Sequence, residues 1–226
     1  MGKILDYIAK ETQGECFTSF KYCYDNITTP TIEYEDSEKH YLNLKDYAED
    51  VHDPKPRNMK DRAEILKNGA PLFKYFLDGS RRVYKVDDIQ YDKKVFPIVC
   101  GQISVACCCR DMNDDFTFKT FRHIIDKSYP VICLPVTANG EGVDHSIFFN
   151  NLRNKINSIP YILDSGIQIE KVLYYPTKVE GKETLENKGI AKIQDEMVEC
   201  EKSIVASLVA KRQLNQDNYL IKDGSI

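Results

Sequence analysis

Residues 72–86 of this 226-residue chain read LFKYFLDGSRRVYKV, in which two apolar stretches flank a polar segment. The segment 72–77 is short, apolar and aromatic, which is typical of a buried β-strand. The glycine of Asp78-Gly79-Ser80 permits a tight turn, so the pattern predicts that one strand ends at Asp78 and another begins at Val83. Asp78 is therefore expected to be a carboxylate held at the end of a rigid element.

The tripeptide Asp-Gly-Ser occurs a second time, at residues 223–225, directly after the apolar stretch 219–222. Two strands lying side by side would bring the carboxylates of Asp78 and Asp223 together. Two like charges at that distance do not both ionise without compensation, which a cation between them provides. Mg²⁺ and Mn²⁺ take oxygen ligands of this kind, so the repeat predicts a metal site. Because Asp-Gly-Ser is common in turns, turn formation alone is the alternative explanation.

A long amphipathic helix is predicted between the two copies, over roughly residues 190–213. At 3.6 residues per turn, Glu201 lies inside its apolar stripe, whereas Glu196 lies on the opposite, solvent-facing side. A glutamate directed into an apolar face is rarely buried unpaired, so a metal ion or a basic partner must neutralise it. Glu201 is thus the third candidate metal ligand. The alternative is a glutamate at the rim of the stripe, whose carboxylate reaches water.

The rest of the chain alternates between strand-like and helix-like patterns, which indicates an α/β fold. The apolar residues 96–100 and 102–109 together predict one buried strand, and further strands are predicted at 129–136 and 172–175. Helices are predicted at 116–126 and 146–159. Asp53-Pro54-Lys55-Pro56 breaks the chain. We therefore expect an acidic, partly helical arm over residues 1–54 and a single larger domain over residues 55–226.

The net charge of −4 averages two segments of opposite sign. Residues 31–53 hold eight Asp or Glu against two Lys, and residues 55–82 hold eight Lys or Arg against three acids. The basic segment ends at the first Asp-Gly-Ser, where Arg81 and Arg82 offer bidentate contacts to phosphate. We therefore name Ser80, Arg81 and Arg82 as candidate substrate-binding residues. Solvated strand positions are the alternative for the two arginines.

The eight cysteines have no spacing typical of a zinc site. No secretory signal opens the chain and no apolar run is long enough to span a membrane, so we expect a cytoplasmic protein with reduced, mostly buried thiols.

The two Asp-Gly-Ser strands and the Glu201 helix make the chain resemble the NurA nucleases, whose domain has an RNase H-like fold. The similarity spans residues 70–226 and is concentrated in these short motifs. The resemblance implies an RNase H-like mixed sheet flanked by helices, behind an N-terminal helical and irregular arm. It also implies a nuclease that uses Mn²⁺ or Mg²⁺ to hydrolyse DNA phosphodiester bonds. Asp78, Glu201 and Asp223 would be its catalytic metal ligands. Such carboxylate clusters hold two ions that activate water and stabilise the leaving oxygen.

The resemblance extends to partners and to length. It implies a HerA-like hexameric ATPase that moves the duplex, a homodimer, and a role in DNA repair or antiphage defence. Family members continue past the second Asp-Gly motif with further catalytic polar residues, including a histidine. We therefore expect this chain to lack the C-terminal part of the family domain.

Two other classes of function compete with the nuclease. The first is a non-catalytic interaction subunit that keeps the nuclease fold and docks on a partner ATPase. The second is a thiol enzyme that uses the run Cys107–Cys109, which lacks any recognisable Cys/His signature.

Overall fold

The computed structural model describes residues 2–26, 58–67, 71–113, 118–140, 142–179, 181 and 183–222. The strands of this part of the chain are β1 (Glu15–Phe17), β2 (Tyr22–Cys23), β3 (Phe73–Tyr91), β4 (Lys94–Met112), β5 (Phe118–Pro135), β6 (Lys171–Tyr175) and β7 (Tyr219–Lys222). The helices are α1 (Lys3–Glu11), α2 (Lys60–Lys67), α3 (His145–Asn157), α4 (Pro160–Ser165) and α5 (Leu185–Ala210).

Three long antiparallel strands form the centre of the sheet, with β4 between β3 and β5. Two short strands join this centre in parallel orientation, β6 against β5 and β7 against β3. β1 and β2 pair antiparallel with the second half of β3. The predicted α/β class, a mixed sheet flanked by helices, is thus confirmed.

The helix α5 covers one face of the sheet. Side chains alternate between the two faces of a strand, so Ile103, Val105 and Cys107 of β4 point the same way. They pack with Ile193 and Ile204 of α5 in one buried apolar cluster. The predicted apolar stripe of this helix is therefore confirmed as the face that it buries.

The described residues that cover the opposite face of the sheet extend over only part of its length. Ile98 and Ile132 pack there with Ile8 of α1 and with Phe149 and Ile156 of α3. Farther along the same face, the side chains are mostly half-buried or exposed. This region is called the open sheet face below. It comprises the even-numbered residues 76–82 of β3 and 102–110 of β4, with the residues of β5 that pair with them.

The predicted turn at Asp78-Gly79-Ser80 is wrong. β3 runs without interruption from Phe73 to Tyr91, and Asp78, Gly79 and Ser80 pair in register with residues of β4. The strand pairing with β4 satisfies the backbone through this segment, so the glycine serves no turn. Its role is steric, as described below.

The predicted helix at 116–126 is also wrong, because residues 118–126 form the start of β5. Phe121, Ile124 and Ile125 have aromatic or β-branched side chains that favour strands. Pairing with the end of β4 holds this segment in the sheet, with Ile124 as the extra residue at a bulge. The other predicted strands, and the helices predicted at 146–159 and 190–213, are confirmed with shifted ends.

The N-terminal residues contribute directly to the sheet. α1 packs against α3 and β1, and β1 and β2 lie on β3. The predicted boundary between residues 54 and 55 and the acidic segment 31–53 lie outside the described residues. Across the described ranges, no helix combines the length and apolar character needed to cross a membrane.

Candidate functional site

The parallel pairing of β7 with β3 brings together the residues that precede the two Asp-Gly-Ser copies in the sequence. Phe76 pairs with Ile221 and Leu77 with Lys222. Asp78 directly follows Leu77, and Asp223 directly follows Lys222 in the sequence. Asp223 lies outside the described residues. The described pairing therefore ends one residue before each of the two predicted ligands.

Asp78 is exposed and belongs to the open sheet face. Its neighbours Leu77 and Gly79 point toward α5, so alternation along the strand directs the Asp78 side chain away from that helix. Asp78 pairs with Ala106, which in turn pairs with Asp126 of β5. Two carboxylates thus flank a small side chain on the same face.

Glu201 is only 2% exposed and lies on the other side of the sheet, between α5 and Gly79. Its Oε2 atom is 3.1 Å from Nζ of Lys222, whose side chain is also almost fully buried. No described group gives Oε2 a hydrogen bond of good geometry, so the charge of Lys222 is its main compensation. The predicted burial of Glu201 is confirmed, and the required partner is a basic side chain.

Gly79 is required by the position of Glu201. A Cβ atom added at Gly79 would lie 2.6 Å from Oε1 of Glu201 and 3.3 Å from Cγ of Met197. Both atoms belong to buried side chains of α5, which have little room to move. The glycine of the first Asp-Gly-Ser therefore makes space for the carboxylate of the helix.

The three predicted metal ligands are not assembled by the described residues. Asp78 and Glu201 project to opposite faces of β3, and Asp223 is not described. The described ranges contain no group of three His, Cys, Asp or Glu side chains placed to hold a metal ion. The metal-binding role of all three residues stays a prediction.

The candidate substrate-binding residues are divided between the two faces. Arg81 points toward α5, where its guanidinium donates to Gln194 and lies 3.4 Å from Oδ1 of Asp25. Ser80 and Arg82 are exposed on the open sheet face. Arg82 is therefore the member of the pair that shares a face with Asp78.

All eight cysteines are free thiols, as predicted. Cys107 is buried under α5, and this burial raises the pKa of its thiol to about 11. Burial likewise raises the pKa of Cys109, its neighbour on the same face. Thiolate is the reactive form of cysteine, so these positions disfavour nucleophilic chemistry.

Sequence reasoning missed the contacts of three charged residues. Asp25 accepts a hydrogen bond from the backbone N–H of Val83 at 2.7 Å, a contact that no local pattern reveals. Glu196, predicted on the solvent side, forms an ion pair of 2.7 Å with Lys171. The sequence does offer a signal for Lys222. Adjacent residues of a strand point to opposite faces, so a predicted strand that directs Asp223 to one face directs Lys222 to the other.

Comparison with known proteins gives no further constraint: no family model, no curated protein and no solved structure matches this chain.

Proposed function

We propose that this protein is a metal-dependent nuclease that hydrolyses DNA phosphodiester bonds, with Asp78 and Asp223 as its principal metal ligands. The parallel register of β3 and β7 is the observation that carries the proposal. This register ends at Leu77 and Lys222, and Asp78 and Asp223 are the residues that directly follow them in the sequence. An RNase H-like arrangement of the domain is part of the same proposal, and the mixed sheet flanked by helices supports it.

The chain's own residues support an oxygen-rich cation site at this position. Asp78 is exposed on a strand fixed by pairing on its β4 side, so its carboxylate is accessible and its backbone is held in place. Ser80 and Arg82 lie farther along the same face, where they would contact the phosphate backbone. Bound Mg²⁺ or Mn²⁺ would supply activation of water and charge stabilisation at the leaving oxygen.

Glu201 is not a ligand in this proposal. It lies on the opposite face of β3 from Asp78, and its charge is already balanced by Lys222. Partnership with a HerA-like hexameric ATPase and formation of a homodimer are proposed on the NurA resemblance alone.

A second candidate is a non-catalytic interaction subunit that keeps this fold. The Glu201–Lys222 ion pair favours it, because a buried carboxylate already neutralised by lysine needs no metal. The two candidates differ in one property, which is hydrolysis that depends on Asp78.

The test compares Mn²⁺-dependent cleavage of end-labelled DNA by the full chain and by Asp78→Asn. Loss of a metal ligand is expected to lower the rate by at least about 100-fold, since even outer-shell changes cost 10- to 100-fold. Asp195→Asn is the matched control, because Asp195 is an exposed acid on α5 that pairs with Lys192. Retained Mn²⁺-dependent cleavage in Asp78→Asn would overturn the proposal. Absence of cleavage by the unmodified chain would favour the interaction subunit.

A further inference from the structure

A cavity of about 690 Å³ lies between the first turn of α1 and the sheet, and it is called the α1 cavity below. Its floor includes a row of paired strand residues, in which Tyr84 lies beside Cys100 and Cys100 beside Ile132. Leu5 of α1 lines one wall, and Gln102 lines the border with the open sheet face. Pockets for small organic ligands have volumes of about 300–1,000 Å³, so the α1 cavity is large enough to hold one.

The lining of the α1 cavity is mainly apolar. Val86 and Ile169 add aliphatic surface to the floor and the wall. Tyr84 and Tyr161 also line the cavity, although their side chains are 36% and 56% exposed to solvent. Their rings therefore lie at the opening of the cavity, which is called its mouth below. An apolar ligand would remove this surface from water, which is the main driving force for binding in such a pocket.

The charged side chains that line the α1 cavity are of one sign. They are Lys3 and Lys21, and the described lining residues include no acid. Nζ of Lys3 lies 5.5 Å from the ring centre of Tyr161, a contact that holds its charge at the mouth. Nζ of Lys21 lies 3.7 Å from Oδ2 of the buried Asp87, which offsets part of its charge. Lys3 is therefore the principal positive group of the mouth.

An apolar interior beneath a positive mouth fits an amphiphile with one anionic head. A ligand that is polar throughout would leave its donors and acceptors without partners against the aliphatic floor, which is costly. A cationic head would be repelled by the two lysines. A carboxylate would instead accept charge-assisted hydrogen bonds from them while its alkyl chain lies in the cavity.

We propose that the α1 cavity binds a medium-chain fatty carboxylate, with the alkyl chain on the apolar floor and the carboxylate beside Lys3 and Lys21. This site goes beyond the proposed nuclease and does not rest on it. Binding needs neither metal nor DNA.

The test is isothermal titration calorimetry of the full chain with decanoate, kept below its micelle concentration. One saturable site per chain is expected. Octanoate is two methylenes shorter and should bind about 10-fold more weakly, because each buried methylene contributes to the affinity. Decyltrimethylammonium has the same chain length and the opposite charge, so it should bind more weakly than decanoate.

One variant tests the space in the cavity. Gln102→Trp places a large ring at its border and should weaken decanoate binding by at least about 10-fold, since ring and alkyl chain compete for the same space. Gln102 is exposed, so the sheet has room for the larger side chain. Thr120→Trp is the matched control, because Thr120 is exposed on β5 and does not line the cavity. It should bind decanoate as the unmodified chain does.

A second variant tests the charge at the mouth. Lys3→Glu replaces an attraction by a repulsion and should weaken decanoate binding by about 2- to 30-fold, as expected for exposed charges. Lys10→Glu makes the same charge change on the same helix, outside the cavity, and should have little effect.

Three results would overturn the proposal. They are the absence of saturable decanoate binding by the unmodified chain, equal affinity for decanoate and decyltrimethylammonium, and undiminished binding by Gln102→Trp. Sedimentation provides a further check. A dimer of the unmodified chain that Gln102→Trp dissociates would assign the cavity to a second copy of the chain and overturn the fatty carboxylate.

The outcome is separable from that of the nuclease assay. Arg82 pairs with Gln102 and lies four residues along β3 from Asp78, which corresponds to about 13 Å. Decanoate binding without Mn²⁺-dependent cleavage would contradict the proposed nuclease and uphold the cavity site. Cleavage that requires Asp78 without decanoate binding would do the reverse.

Discussion

Gly79 lies between two of the three carboxylates that the sequence singles out. Asp78 precedes it on β3, and Glu201 of α5 occupies the space in which its side chain would lie. A glycine in the middle of a paired strand weakens that strand unless close packing requires it. Here the close approach of a buried carboxylate is the requirement, so the residue is explained by packing against the helix.

Replacing Gly79 by alanine should therefore destabilise the protein. The new Cβ would overlap Glu201 and crowd Met197, and overpacking of this kind costs about 1–3 kcal/mol. Urea unfolding followed by circular dichroism measures the free energy of unfolding. Gly140→Ala is the control, because nothing lies within 4 Å of the added Cβ and its backbone is not left-handed. Equal stability of the two variants would contradict this account of Gly79.

The short strand β7 is joined to the long helix α5 by one buried ion pair. Lys222 is the last residue of β7, and its Nζ reaches Glu201 near the middle of α5. β7 has only four residues, and the side chains of the first three are exposed or half-buried. The ion pair of Lys222 and the strand pairing with β3 both act on its last residue. The pair therefore positions the strand that leads into the second Asp-Gly-Ser.

Lys222→Met should lower the free energy of unfolding by about 3–5 kcal/mol, because it leaves a buried carboxylate without compensation. The double variant Glu201→Leu with Lys222→Met removes both charges and should be closer to the unmodified chain. Lys202→Met serves as the control, since Lys202 pairs with Glu199 at the exposed surface of the same helix and should matter little. A Lys222→Met variant as stable as the control would show that the pair does not hold β7.

Elements with a strong local pattern could be predicted, whereas those fixed by pairing could not. The apolar stripe of α5 and the short apolar strands β6 and β7 follow from hydrophobic periodicity. The start of β5 and the passage of β3 through Gly79 depend on pairing with β4, which no local pattern contains. A glycine between polar residues indicates a turn locally, and tertiary packing overrides that preference.

At the level of the whole molecule, distant segments meet on β3. β1 pairs with its far end, Asp25 binds its middle, and β7 lies along its beginning. Local sequence patterns contain no information on contacts between such distant segments. They therefore predict a separate arm for the N-terminal residues. The same assembly gives β3 one face against α5 and one open face that carries Asp78, which no single motif specifies.

The central claim is that the two Asp-Gly-Ser strands share a cation on the open sheet face. Anomalous diffraction from crystals of the full chain grown with Mn²⁺ tests it most directly. The account predicts an anomalous peak about 2.1 Å from carboxylate oxygens of both Asp78 and Asp223. Carboxylates more than about 10 Å apart cannot share an ion at such ligand distances. That separation, with no peak at Asp78, would contradict the account.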